Sequence, residues 1–313
     1  MPEGHTLHRL ADQFQRLFIG RSWRVTSPQG RFTAGAAQLS GRAPERAEAW
    51  GKQLLVHVGA DIWQVHLGLY GAFSFRGDTS FDAAETLGAP RTAAAQLKPE
   101  YADDGWIIPV AAVGAVRARI HVPNGWADLR GPARCRVLNP MQYEALIARL
   151  GPDPLRQPPG EIREPLLEQF RVNLARRRVS IAAAVMDQAV IAGVGNIYRA
   201  ESLFVAGIDP HTPANELPGA RVDALWQTLT DQLRTGAAEG IIRTLRENDP
   251  YLGLRGADVH DYRAGAAVRS GAAVRRHWVY QHQGTPCLRC GETVQMRQLQ
   301  GRRLYWCPGC QVR

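Results

Sequence analysis

Along residues 6–18 apolar side chains return at three- and four-residue steps, at Leu7, Leu10, Phe14, Leu17 and Phe18, which predicts an amphipathic helix with one face against a core. Past Trp23 the period changes. Short runs of alternating or continuous apolar character fall at 22–26, 54–58, 62–66, 72–76, 106–110 and 115–122, separated by glycine and polar residues such as Gly59-Ala60-Asp61. They predict an all-β sandwich or flattened barrel. Residues 81–104, rich in alanine and acidic side chains, read as a loop excursion. Asn124-Gly125 and Gly131-Pro132 mark a linker at 123–132, beyond which the pattern is helical over 141–150, 164–171, 180–192, 197–206 and 222–238.

Ala192-Gly193-Val194-Gly195-Asn196 is a tight glycine turn, with Asn196 placed to cap the helix that starts at Ile197. Two helices so joined form either a helix-turn-helix, whose second helix offers free N–H groups to a phosphate, or a plain helical corner. Residues 244–273, rich in glycine and arginine, read as a mobile loop or linker. The expected class is α+β and multidomain: a β-sandwich at 1–122, the linker at 123–132, a helical domain at 133–240, a loop region at 241–276 and a C-terminal segment at 277–313.

Composition changes this picture in two ways. A chain of 313 residues, 45% of them hydrophobic, is long enough for two or three domains with buried cores. Its formal net charge of +9 favours a polyanionic partner such as nucleic acid, or less often an anionic membrane surface. No apolar run approaches the ~18 residues of a spanning helix, and the N-terminus lacks the parts of a signal peptide, so the expected setting is the cytoplasm, without a membrane. Lysine is almost absent: Lys52 and Lys98 are the only two among 38 basic residues, which draws attention to Lys52.

The chemistry gathers at the two ends. Cys287-x2-Cys290 and Cys307-x2-Cys310, with sixteen residues between the pairs, have the spacing for four thiolates around one structural Zn²⁺; a redox dithiol pair is the alternative. Arg297, Arg302 and Arg303 lie between the pairs and suit either phosphate or solvent. Cys135 reads as an ordinary thiol. At the other end, removal of Met1 would make Pro2 a secondary amine, titrating near pH ~8 and therefore partly neutral and nucleophilic, with the Glu3 carboxylate beside it. The plain alternative is a common Met-Pro start with Glu3 opening the first helix.

Taken together, Pro2-Glu3, Gly51-Lys52-Gln53-Leu54-Leu55, Leu150-Gly151-Pro152-Asp153-Pro154-Leu155, Met186-Asp187-Gln188 leading into Ala192 to Glu201, and Tyr305-Trp306-Cys307-Pro308-Gly309-Cys310-Gln311 make the chain resemble the Fpg/Nei family of DNA glycosylases over nearly its whole length. The resemblance implies an N-terminal β-sandwich carrying an N-terminal helix, a helix-two-turn-helix domain and a C-terminal zinc-finger β-hairpin. It implies that Pro2 forms a Schiff base with a deoxyribose C1′, that Glu3 assists ring opening and base loss, that Lys52 assists β-elimination and meets a phosphate, and that Arg302 grips the lesion phosphate and serves δ-elimination. Arg149 and Asn196 match DNA contacts of the family. Leu69 and Tyr70 match the loop that would fill the gap left by a flipped base, with burial at a strand end as the alternative. Gly68 departs from the glutamine expected there.

The Leu-Tyr pair and the Tyr-Trp-Cys-Pro-Gly-Cys-Gln ending lean towards the endonuclease VIII branch and oxidised pyrimidines, whereas His66-Leu67-Gly68 and Gly195-Asn196-Ile197-Tyr198 suit the oxidised-purine branch equally. The implied partner is double-stranded DNA with damaged bases or abasic sites, met by a monomer that needs zinc and no small-molecule cofactor. Two readings from other classes remain: a non-catalytic binder of damaged DNA and a zinc-ribbon interaction protein.

Overall fold

The structure is a computed structural model and describes residues 2–83, 86–88, 98–158, 161, 163–246 and 275–312. It divides into two units, Met1–Arg149 and Leu150–Arg313. The first contains α1 (Gly4–Leu17), β1 (Arg24–Thr26), α2 (Thr33–Leu39), β2 (Arg46–Trp50), β3 (Gln53–Val58), β4 (Asp61–His66), β5 (Ala72–Gly77), β6 (Thr86–Gly88), β7 (Val116–Val122), β8 (Gly125–Arg130), β9 (Arg134–Leu138) and α3 (Pro140–Ile147). Its strands pair antiparallel in two sheets, ordered β1-β7-β8-β5-β6 and β2-β3-β4-β9.

The apolar stripe of α1 supplies Leu7, Leu10, Phe14 and Leu17 to the core shared with both sheets. Phe14 meets Trp63 of β4 edge-on at 6.0 Å and Phe73 of β5 at 5.2 Å, so the N-terminal helix is held by aromatic packing rather than left to fray. The outer face of the four-stranded sheet is covered as well. Leu55, Ile62 and Leu138 pack there with Tyr143, Leu146 and Ile147, and the Tyr143 hydroxyl donates to Glu48 Oε1 at 2.8 Å. Burial on both faces explains why Leu54-Leu55-Val56 is a continuous apolar run and not an alternating one.

The expected linker at 123–132 is instead strand β8, and the division between units falls after Arg149. Asn124-Gly125 is punctuation inside a hairpin, where Val122 pairs Gly125, so the turn signal marked a bend within the sandwich. The expected strand at 106–110 is reduced to a single bridge, Tyr101 to Ile107. Strands β2 and β9, one at each edge of their sheet, had no apolar period to reveal them; both carry charged side chains, Arg46 and Glu48 in one, Arg134 and Arg136 in the other. Residues 84–85 and 89–97 of the expected loop excursion lie outside the described residues.

The second unit contains α4 (Glu164–Ala175), α5 (Ile181–Ala184), α6 (Asn196–Val205), α7 (Gly219–Glu239), β10 (Gln295–Leu299) and β11 (Arg302–Trp306). Helix α6 runs through its middle: Tyr198, Arg199, Glu201, Ser202 and Phe204 are all buried, and Arg199, Glu201 and Ser202 find hydrogen-bond partners within the unit. The helix expected over 180–192 stops at Ala184. Side chains of the next residues take over backbone donors and acceptors: Asp187 Oδ1 accepts from Ala189 N at 2.9 Å, Gln188 Oε1 from Gly193 N at 3.0 Å, and Gln188 Nε2 donates to the Val194 carbonyl at 3.0 Å. Gly193 sits at φ +100° within that turn. Gly151 packs so closely beneath it that a Cβ would lie 2.7 Å from the Val190 carbonyl carbon, which accounts for the glycine in the Leu150 to Leu155 motif. Most of the expected mobile loop, residues 247–273, lies outside the described residues. Among the described residues no helix is long and apolar enough to cross a membrane.

Candidate active site and metal centre

Pro2 is buried and Glu3 is 0% exposed. Glu3 is the residue just outside α1, in extended conformation, and its carbonyl accepts from Thr6 N at 2.9 Å. The direction of α1 against the sheet follows from two contacts. Gly20 N donates to the Pro44 carbonyl at 2.8 Å and Ala47 N to Gln15 Oε1 at 3.1 Å, so moving back along α1 means moving forward along β2. From Gln15 to Glu3 the helix travels about 18 Å at ~1.5 Å per residue, and from Ala47 to Lys52 the strand travels about 17 Å at ~3.3 Å per residue. The head of α1 and the β2–β3 turn therefore belong to one end of the sandwich.

That turn is Gly51-Lys52, closed by the pair Trp50 and Gln53, with Gly51 at φ +56°. Lys52 is half-buried. The pair Leu54 and Val65 brings the end of β4 to the same edge, and His66 stands opposite Arg134 of β9. Burial first, then the charges of Lys52 and Arg134, hold the His66 imidazole below its ordinary range. Its Nδ1 accepts from Gly68 N at 3.0 Å.

Beyond His66 the chain crosses from one sheet to the other through residues 67–71. Gly71 N donates back to the Leu67 carbonyl at 3.0 Å, closing a tight turn at whose tip Leu69 is 44% and Tyr70 77% exposed. Burial at a strand end is thus not their fate. Gly68 stands at φ +70°, and a Cβ there would lie 2.7 Å from Ala133 Cβ. The departure from glutamine therefore has a local cause: this turn requires a residue without a side chain. Gly68→Gln is expected to lower stability by roughly 1–3 kcal/mol through left-handed strain and overpacking, read as a lower urea midpoint at unchanged slope.

Cys135 is no competing nucleophile. Burial pushes its thiol up to about 11, and Trp63 Nε1 donates to its sulfur at 3.4 Å.

In the second unit the four cysteine sulfurs lie within 4.8 Å of one another, with Cys290 to Cys307 at 3.4 Å and Cys287 to Cys310 at 3.8 Å. Metal–sulfur bonds of ~2.3 Å at tetrahedral angles put sulfurs about 3.8 Å apart, so this donor set fits one tetrahedral metal ion. Gln311 ties the cluster to the helical domain: its Oε1 accepts from Cys307 N at 2.9 Å and its Nε2 donates to the Ile208 carbonyl at 3.0 Å. Strands β10 and β11 turn at Gln300-Gly301, φ +48° and +73°, which places Arg302 exposed at the hairpin tip.

Asn196 is not the cap of α6; Gly195 takes that position. The Asn196 side chain instead reaches the hairpin, its Nδ2 donating to the Arg303 carbonyl at 3.0 Å and its Oδ1 accepting from Arg199 Nη2, which also donates to the Arg303 carbonyl at 3.1 Å. Arg199 and Asn196 thus hold the strand that presents Arg302. Arg149 is exposed at the end of the first unit.

Two residues with strong structural cues had no role assigned from sequence, His66 and Glu201. Glu201 accepts from Trp278 N at 2.7 Å, Val279 N at 2.9 Å, Tyr280 N at 2.8 Å and the Thr244 hydroxyl, anchoring the segment that leads into the cysteines. In the sequence it stood only as the last residue of the Ala192 to Glu201 motif, with no role attached.

Residues 150–246 match the formamidopyrimidine-DNA glycosylase H2TH domain. Over 315 residues, covering 100% of both sequences, the chain is 38% identical to endonuclease 8 1 of Mycobacterium tuberculosis. It is 30% identical over 327 residues to the formamidopyrimidine-DNA glycosylase of Parasynechococcus marenigrum, covering 99% of each. Among solved structures, Lactococcus lactis Fpg in complex with DNA containing an abasic site superposes with a TM-score of 0.66 at 19% identity, over 99% of this chain and 100% of that one. The same protein bound to DNA with an N7-benzyl-Fapy-dG gives 0.67 at 19% identity over the whole of both chains. An end-to-end relative at 38% identity and a fold shared along the full length place this chain in the Fpg/Nei family of DNA glycosylases.

Proposed function

We propose that the protein is a bifunctional DNA glycosylase and AP lyase of base excision repair, acting as a monomer in the cytoplasm on duplex DNA with oxidised pyrimidines. The observation that supports this most directly is Glu3, a fully buried carboxylate adjacent to Pro2 at the head of a helix whose direction brings it level with Lys52. Burial excludes water from a carboxyl group that must exchange protons with a sugar, and the packed helix keeps it in place.

In the proposed course, with Met1 removed, the neutral Pro2 amine adds to C1′ as the bond from C1′ to the base breaks, the departing base takes up the proton that the amine gives up, and Glu3 supplies the proton that opens the sugar at O4′. The resulting iminium acidifies the C2′ hydrogen. Its loss expels the 3′ phosphate, and a second elimination releases the 5′ phosphate. Lys52 assists the first step and Arg302 holds the phosphate for the second, with Arg149 and Asn196 as further DNA contacts and Leu69 with Tyr70 filling the vacated stack. The four cysteines would hold one Zn²⁺, which supplies no chemistry in a closed four-sulfur site and fixes the hairpin.

The preference for pyrimidines follows the endonuclease 8 relative and the exposed Leu-Tyr pair; an oxidised-purine preference is the second reading, favoured by the formamidopyrimidine-DNA glycosylase relative. Borohydride reduction of the enzyme on an abasic duplex is expected to trap a covalent adduct whose peptide maps to Pro2. Absence of an adduct under conditions that trap a control lyase would remove the lyase step.

A further inference from the structure

We propose that His66 is a positioning residue for base eversion: its imidazole Nδ1, by accepting the Gly68 N–H, sets the turn that presents Leu69 and Tyr70. This rests on the reading of those two side chains as the wedge.

Leu67 anchors the start of the turn in the core, and the polar bonds described within it are two. The turn spans residues 67–71 between the two sheets, and its own backbone contributes one bond, Gly71 N to the Leu67 carbonyl at 3.0 Å. Gly68 occupies the left-handed region, so nothing in the covalent chain favours that conformation strongly over others open to glycine. A hydrogen bond from its N–H to His66 Nδ1, 3.0 Å long, selects the observed one. His66 is itself fixed as the last residue of β4, in register with Arg134. The order therefore passes from sheet to ring to turn to the exposed pair.

Only an unprotonated Nδ1 can accept, so the ring must be neutral with its proton on Nε2. The surroundings favour that form, since burial and the positive charges of Lys52 and Arg134 both oppose a second proton. Lys52 thereby has an effect apart from any contact with a sugar or phosphate: its charge adds to burial in opposing protonation of the ring.

Asparagine can present its side-chain oxygen near the place of Nδ1, and phenylalanine keeps the ring volume without any acceptor. The experiment measures, for zinc-loaded full-length protein, base release from a duplex with a paired oxidised pyrimidine and cleavage of an abasic site in a single strand, where no stacked base must be displaced. For His66→Phe the ratio of the two rates is expected to fall at least tenfold, and His66→Asn is expected to restore most of it. An equal loss in both assays, or no loss in either, would overturn the proposal. Leu69→Ala and Tyr70→Ala run beside them. Should these leave the ratio unchanged, the wedge reading fails; should they lower it while His66→Phe does not, the wedge stands and the positioning role falls. If His66→Phe does not fold, hydrogen exchange at the Gly68 amide in the unmodified protein decides: a rate near that of an unstructured glycine overturns the proposal, and strong protection supports it.

Discussion

Glu3→Gln is expected to slow base release by about 10²–10⁴-fold, the range for loss of a positioned proton donor, while leaving affinity for a lesion duplex within a few-fold. The substitution keeps the side chain's size and removes its acidic proton. Glutamine has the shape of glutamate, and the bond from Thr6 N to the residue's carbonyl, 2.9 Å long, forms whichever side chain is present. The helix behind it is held by Leu7, Leu10 and Phe14, none of which is disturbed. DNA affinity in this family of reactions comes mainly from phosphate contacts, to which a buried neutral side chain adds nothing. Incision at a preformed abasic site should fall less than base release. That sugar already equilibrates with an open aldehyde and has no base to lose, so the proton delivered by Glu3 matters less there. Rapid-quench measurement of base release and strand cleavage on matched lesion and abasic duplexes reads both quantities. Unchanged base release would remove Glu3 from the chemistry; a parallel collapse of binding would instead assign Glu3 to the shape of the site.

Legibility from sequence tracked how local each feature was. Helix α1 was plain because its period lies in fourteen consecutive residues, and the cysteine cluster because two C-x-x-C pairs specify a ligand set by themselves. The edge strand β2 was not, since an edge strand can be polar and its partner β3 is what makes it a strand. The apparent helix at 180–192 shows the opposite error: its apolar residues are buried as periodicity requires, yet Asp187 and Gln188 use their side chains against the backbone and end the helix early. At the candidate site, Pro2, Glu3 and Lys52 were found one by one from residue chemistry and resemblance. That they belong to one end of one sandwich is information carried by pairing, through Gln15 with Ala47 and Trp50 with Gln53. Gly68 could be recognised as a departure but not explained, because its cause, Ala133, lies on a different strand connection.

Glu201→Ala is expected to destabilise the second unit by roughly 3–5 kcal/mol, a large fraction of the ~5–15 kcal/mol that holds a domain together. Glu201 is 0% exposed and accepts three backbone N–H groups, from Trp278, Val279 and Tyr280, at 2.7 to 2.9 Å, besides the Thr244 hydroxyl. Alanine leaves the three backbone donors without their acceptor, while the Thr244 hydroxyl can still donate to the Arg276 carbonyl at 3.4 Å, and a buried donor so abandoned costs about 1–3 kcal/mol unless water replaces the carboxylate. Partial filling by water brings the sum to the lower figure. The damage should be local before it is global. Trp278 stacks on Phe204 at 5.4 Å and Tyr280 meets Tyr305 at 5.2 Å, so release of this segment loosens the packing that seats the cysteine hairpin on α6. Hydrogen exchange at the amides of 278–280 should accelerate first, with easier loss of metal to a chelator following. Glu201→Gln keeps one acceptor oxygen but turns an N–H₂ towards the remaining donors, so it is expected to recover only a minor part of the loss. Unaltered exchange at those three amides in Glu201→Ala would show that the segment is held by its aromatic contacts alone, and that the buried carboxylate is not what joins the metal-binding hairpin to the helical domain.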